Sequence, residues 1–215
     1  MSVLAELLAA GYPAALAAGM AVNFAIAGIA LAGGLVVGLP LAAAQQAGGA
    51  IRRGTGPLLG LMRAAPTFVV MFFLLNTIPR DLTLMGFSLA PSGPDIVALS
   101  LVPYAAAYAA DNGADAFDRW RAGSPEAALL FVPNLVRAYF VLVMSSSAGA
   151  AIGVNEGVAA VLRAADRWPS LGDKLVVFAT GILAFGVVFQ LGFAAVRLAV
   201  ARMERRHRAK GAPND

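Results

Sequence analysis

The sequence predicts an all-α integral membrane bundle of five transmembrane helices, and three observations carry that reading. Hydrophobic residues make up 60% of the 215 positions and charged residues only 13%, against about 25% charged in an ordinary soluble domain. The charges are clustered, so five long apolar stretches remain between them, and about 20 such residues cross the roughly 30 Å of bilayer hydrocarbon. Segments of about ten alternating residues, as a membrane β-barrel requires, do not occur. The mean hydropathy of +0.76 leaves too little polar surface for a soluble enzyme. With no cysteine, disulfide frameworks and thiolate metal sites are excluded.

The elements follow in order. Residues 1–12 have no basic residue and so lack the positive start of a signal peptide; they are expected to form a short amphipathic helix on the outer face, without cleavage. The transmembrane domain is expected over residues 13–201. Its first span runs from about Pro13 to Ala44, inside an uncharged stretch from Leu7 to Ile51. The second begins near Pro57 and continues through the uncharged run Ala64 to Pro79. The third, Ile96 to Ala110, is short for a full crossing. The fourth lies within Ala127 to Val154 and carries Arg137, and the fifth runs from Leu175 to about Val200. Helices satisfy their own backbone groups within one segment, as lipid demands. Pro40 and Pro66 predict kinks. Gly34 and Gly38 form a small-xxx-small pair suited to close helix packing, within the chain or with a partner.

Basic residues mark the cytoplasmic side of membrane proteins. They concentrate in the tail, residues 202–215, as Arg202, Arg205, Arg206, Arg208 and Lys210. The C-terminus is therefore expected in the cytoplasm and, with five spans, the N-terminus outside. The same tail reads as a topology anchor against anionic lipid. Nucleic-acid binding is not expected, because no folded module accompanies it.

Catalytic chemistry has little to stand on. There is no phosphate-binding loop, so the chain carries no ATPase of its own. One histidine, His207, cannot build a multi-histidine metal site or serve Ser145 to Ser147 as a base. Paired carboxylates occur only from Asp111 to Glu126, read as a solvated loop. Neither enzyme activity, metal nor cofactor is expected. Polar residues within the spans are Asn23, Asn76, Arg137, Ser145, Ser146, Ser147 and Gln190. Burial in lipid costs free energy, so they should face other helices, a partner or an aqueous path; Arg137 could equally sit near an interface and extend its charge to water.

Several ordered motifs then carry a resemblance. Tyr108 is followed three residues later by Asp111, and Gly123-Ser124-Pro125-Glu126-Ala127-Ala128 follows at a fitting distance. Upstream stands Arg63-Ala64-Ala65-Pro66 with an apolar run ending in Ile78-Pro79. Downstream, Pro133-Asn134 leads through Ser146-Ser147 to Ile152-Gly153-Val154-Asn155-Glu156, and Met203-Glu204-Arg205-Arg206 closes the series. From about residue 15 to residue 208 the chain resembles the permease subunits of bacterial ABC importers, in particular the five-span branch for polar amino acids. Departures are present: Ala114 and Ser124 replace a family Arg and Gln, Met144 replaces a Lys, and the stretch between Ala128 and Pro133 is much contracted.

The resemblance implies a multi-pass protein of the bacterial cytoplasmic (inner) membrane that imports amino acids or similar small polar solutes. It implies as partners ABC ATPase subunits, a second permease subunit and a periplasmic or extracellular solute-binding protein. Gly123, Glu126, Ala127 and Ala128 would be what remains of the ATPase-coupling loop, and the contraction points to a heterodimer whose other permease carries the complete loop. Arg63, Asn76, Ser145, Ser146 and Ser147 are candidates for the translocation path. The same contraction leaves open a degenerate, permease-like scaffold or regulator without transport.

Overall fold

A computed structural model describes residues 3–79, 81, 83–84, 87–88, 90–124 and 131–210. The helices are α1 (Val3–Ala9), α2 (Tyr12–Gln46), α3 (Gly49–Ala64), α4 (Thr67–Thr77), α5 (Gly93–Arg121), α6 (Phe131–Ser146), α7 (Gly157–Ala165) and α8 (Leu171–Lys210). A 3-10 turn, Ser147–Ile152, extends α6. Two-residue strands β1 (Thr83–Leu84) and β2 (Phe87–Ser88) pair antiparallel, with Leu84 opposite Phe87, between α4 and α5.

Three of these helical stretches are long and apolar enough to cross a membrane: Tyr12–Gln46, Phe131–Ile152 and Leu171–Arg202. The pair α3 and α4 makes a fourth if counted as one span, although it bends by 89°. The sequence predicted a continuous second span with a kink; the structure breaks it. Pro66 offers no backbone N–H and disfavours helical geometry in the residue before it, and Ala65 is accordingly extended at φ −64°, ψ 114°. Pro40, by contrast, stays inside the unbroken α2.

The third apolar stretch belongs to α5, which does not qualify as a span by composition. Its second half carries Asp111, Asp115, Asp118, Arg119 and Arg121 as continuous helix, so the expected solvated loop from Asp111 is corrected to helix as far as Arg121. No proline interrupts that stretch, and Gly113 is its one glycine. The start of α5 is fixed by a capping box: Ser92 N donates to Asp95 Oδ2 (2.9 Å), and Ser92 Oγ accepts from Asp95 N (3.4 Å). Such a cap is worth about 1 kcal/mol.

The centre of the fold is the α2–α5 crossing. A Cβ built on Gly34 would strike Ala105, its carbonyl carbon lying 2.8 Å away, and one on Gly38 would lie 2.7 Å from Ala109 Cβ. Real Cβ contacts are not that short, so glycine is what lets the two backbones meet, as small residues do in lipid-embedded bundles. Around this seam Ile26, Ala27, Ala30, Met71, Val97, Leu101, Leu142 and Val143 are buried together. A second cluster ties the ends of the chain to each other: Leu7 of α1 and Tyr12 and Leu16 of α2 pack on Val161 of α7 and Val177 of α8. The rest of α8 presents Ile182, Leu183, Val187 and Leu191 to the outside. A soluble monomer rarely exposes so extended an apolar face; lipid covers it without cost. Beyond Val200, α8 continues without interruption into the basic tail, to Lys210.

Candidate functional site

The sharpest polar feature lies inside the bundle. α7, which lies between the expected fourth and fifth spans, begins at a carboxylate: the Glu156 side chain accepts from Val158 N through Oε2 and from Ala159 N through Oε1, both at 2.8 Å. This caps the helix with a negative charge where its dipole favours one. Asn23 of α2 reaches the same place. Its Nδ2 donates to Ser146 Oγ (2.8 Å) and Glu156 Oε2 (2.9 Å), and its Oδ1 accepts from Gly157 N (2.9 Å). Ser146 Oγ in turn donates to Val143 O (2.7 Å). Glu156, Asn23 and Ser146 are each 0% exposed.

The end of α6 and the start of α7 are thereby joined to α2, more than 120 positions away, through one hydrogen-bonded group. A buried carboxylate persists only when its lone pairs are answered, and three N–H donors answer this one. Gly19 permits the approach: a Cβ there would come within 2.7 Å of the Glu156 carbonyl carbon. The cluster pins the segment Gly153–Glu156 onto the first half of α2.

Beside it opens a cavity of about 530 Å³, bounded by Val22, Leu75, Ile78, Ile96, Val154 and Asn155 among others. That is room for a small solute, between α2, the end of α4, the start of α5 and the segment leading to α7. Its walls are mostly apolar, with Asn155 as a polar side chain at the rim.

The residues picked from the sequence fall in separate places. Arg63, in the last turn of α3, holds Asp111 of α5 in a two-pronged ion pair, with Nε 3.0 Å and Nη2 2.7 Å from Oδ2; both side chains are nearly half exposed. Asn76 donates to Phe72 O of its own helix (2.7 Å). Ser146 joins the buried cluster, while Ser145 and Ser147 on either side are partly buried. None of Arg63, Asn76 and Ser145 to Ser147 lines the cavity. Gly123, at φ +79°, lies two residues past the end of α5, after the cap residue Ala122, and its N–H donates to Trp120 O (3.0 Å); it closes the helix end in the left-handed conformation that glycine adopts freely. Glu126, Ala127 and Ala128 lie outside the described residues. Of the other polar residues in the spans, Arg137 and Gln190 are exposed.

Asn23 was visible in the sequence as a polar residue in an apolar span. Glu156 was visible only as part of a motif. The signal that could have found it is an acidic residue directly before the apolar run Gly157-Val158-Ala159-Ala160-Val161, the pattern of a helix start.

Among solved structures, the chain matches a crystal structure of an amino acid ABC transporter with histidines, at a TM-score of 0.62 and 15% identity, over 92% of this chain and 98% of that one. No protein-family model and no curated protein matches the sequence. The fold is thus that of a chain of an ABC transporter. Together with helices able to span a bilayer, it fits a multi-pass membrane protein.

Proposed function

We propose that this chain is a permease subunit of an ABC importer for amino acids or similar small polar solutes. The observation that carries the reading is the fold likeness over nearly the whole of both chains, in a sequence whose ordered motifs resemble the same family. The chain sits in the bacterial inner membrane as five spans, α3 with α4 forming the bent second and the apolar half of α5 the third, with the N-terminus outside and the C-terminus in the cytoplasm. Residues 1–12 lie on the outer face, 13–201 form the permease domain and 202–215 the cytoplasmic tail.

The work is conformational. An importer needs two membrane states that differ in access and affinity, and a partner that binds nucleotide differently in each. Here the ATPase subunits supply the energy and dock on the connection that holds Gly123, Glu126, Ala127 and Ala128. A second permease subunit completes the path and carries the fuller coupling loop. A solute-binding protein delivers solute from outside. Arg63, Asn76 and Ser145 to Ser147 remain path candidates; Arg63 is engaged by Asp111 and would have to exchange that partner for a solute carboxylate.

The contracted stretch between Ala128 and Pro133 favours one other reading, a permease-like scaffold without transport. Affinity purification of the tagged full chain from native membranes in mild detergent separates the two. A complex containing an ATPase and a different permease subunit, from which Glu126→Ala releases the ATPase, supports the proposal. A homodimer docked normally on an ATPase contradicts the heterodimer, and a chain that elutes without any ATPase favours the scaffold.

A further inference from the structure

A groove of about 580 Å³ lies between α6 and α8, walled by Pro133, Asn134 and Arg137 on one side and Phe193, Val196 and Arg197 on the other. Both arginines are exposed. Among the described residues neither has a carboxylate partner, the one ion pair being Arg63 with Asp111, and no acidic residue lines the groove. Among the described residues, two guanidinium groups therefore face one recess with no carboxylate to neutralise them, and apart from Asn134 the surrounding wall is apolar.

The depth of the groove follows from α8. Between Lys174 and Arg197 the helix has no charged residue, and 23 steps at 1.5 Å span about 34 Å, close to the roughly 30 Å of hydrocarbon. Arg197 thus sits at the level where hydrocarbon meets headgroups, on the side of the basic tail. Arg137 shares the groove and so shares that level. Phe131, six residues earlier in α6, lies about 9 Å further out on the tail side, and α6 runs antiparallel to α8, with Phe140 against Phe189 and Phe193.

We propose that this groove seats the phosphate of an anionic phospholipid headgroup from the tail-side leaflet. Guanidinium is the side chain best matched to phosphate oxygens, through paired N–H donors. Phe193, Val196 and Pro133 offer the apolar wall along which the glycerol and first methylenes lie. The inference rests on the membrane reading but not on transport, so failure to import solute leaves it standing.

The test uses the purified full chain in mild detergent, offered mixed phosphatidylglycerol and phosphatidylcholine, with retained lipid counted by native mass spectrometry. Each basic residue near a bilayer surface is worth about fivefold in binding, so the pair gives a roughly 25-fold preference for phosphatidylglycerol. Arg137→Gln with Arg197→Gln lowers the preference by that factor, leaving only what the basic tail contributes, and Arg137→Lys with Arg197→Lys keeps the charge but loses the paired donors and with them part of the preference. Equal retention of the two lipids by the native chain overturns the proposal, as does a preference that the double glutamine variant leaves undiminished. Displacement of the lipid by soluble glycerol phosphate overturns it in favour of a free phosphate ester. Loss of the retained lipid when the chain is assembled with another permease chain overturns it in favour of a protein interface. Should the glutamine variant not fold, the native preference and the lysine variant decide.

Discussion

Replacing Glu156 by alanine tests whether the buried cluster holds the bundle together. The change leaves Val158 N and Ala159 N without their acceptor, while Asn23 Nδ2 retains Ser146 Oγ. Each unsatisfied buried donor costs about 1–3 kcal/mol, so the pair gives about 2–6 kcal/mol. For a chain of this length 1 kcal/mol moves Tm by about 2–4 °C, and the middle of the range, about 4 kcal/mol, lowers Tm by roughly 8–16 °C. Glu156→Gln keeps one acceptor oxygen and sets its amide group against the other N–H, so it should fall between alanine and the native chain. The assay is thermal unfolding of the purified chain in detergent, followed by tryptophan fluorescence; Trp168 packs beside α7 with Val161 and Ala165. A Tm for the alanine variant within about 2 °C of the native value would refute the reasoning, because it would mean that the two donors find other partners or water.

Other expectations concern the scaffold and its placement. Gly34→Leu should force α2 from α5 and cost at least the 1–3 kcal/mol typical of overpacking, read as a lost or shifted monodisperse peak, whereas Gly28→Ala, where a Cβ would meet nothing within 4 Å, should stay within about 1 kcal/mol of the native chain; similar behaviour of both would contradict the seam. Arg63→Gln should lower stability by no more than about 1 kcal/mol, since an ion pair this exposed gains little; a larger drop in Tm would show that Asp111 depends on it for folding. Because the chain has no cysteine, single cysteines can report sidedness. Glu6→Cys should react with an impermeant maleimide from outside the cell and Gly211→Cys only after the membrane is opened, and labelling of both from one side would reject five spans.

The apolar runs were legible because lipid imposes one simple demand, a long uninterrupted hydrophobic helix. The runs from Pro13 and from Leu175 therefore reappear within α2 and α8, α2 with its ends moved by one or two residues and α8 running ten residues further, to Lys210. Where charge enters, that demand no longer decides. Asp111, Asp115 and Asp118 read as loop by polarity, yet nothing in their spacing breaks a helix, and α5 continues through them. Pro66 was readable as a kink but not as an 89° break, since the size of a bend depends on what packs against it. The cavity beside Val22 and Asn155 comes from chain segments that only the fold brings together. The same holds for the polar cluster: Asn23 and Glu156 are 133 positions apart, and a buried carboxylate answered by a remote amide leaves no local signature beyond its role as a helix cap.

The most direct measurement is uptake of radiolabelled amino acids by cells that have or lack this chain, with its partner subunits left in place. A driven pathway through the bundle requires that accumulation of at least one amino acid stop when the chain is removed, return when it is restored, and depend on ATP hydrolysis by the partner. Unchanged accumulation of every amino acid without the chain would contradict the account and leave the protein as a membrane scaffold.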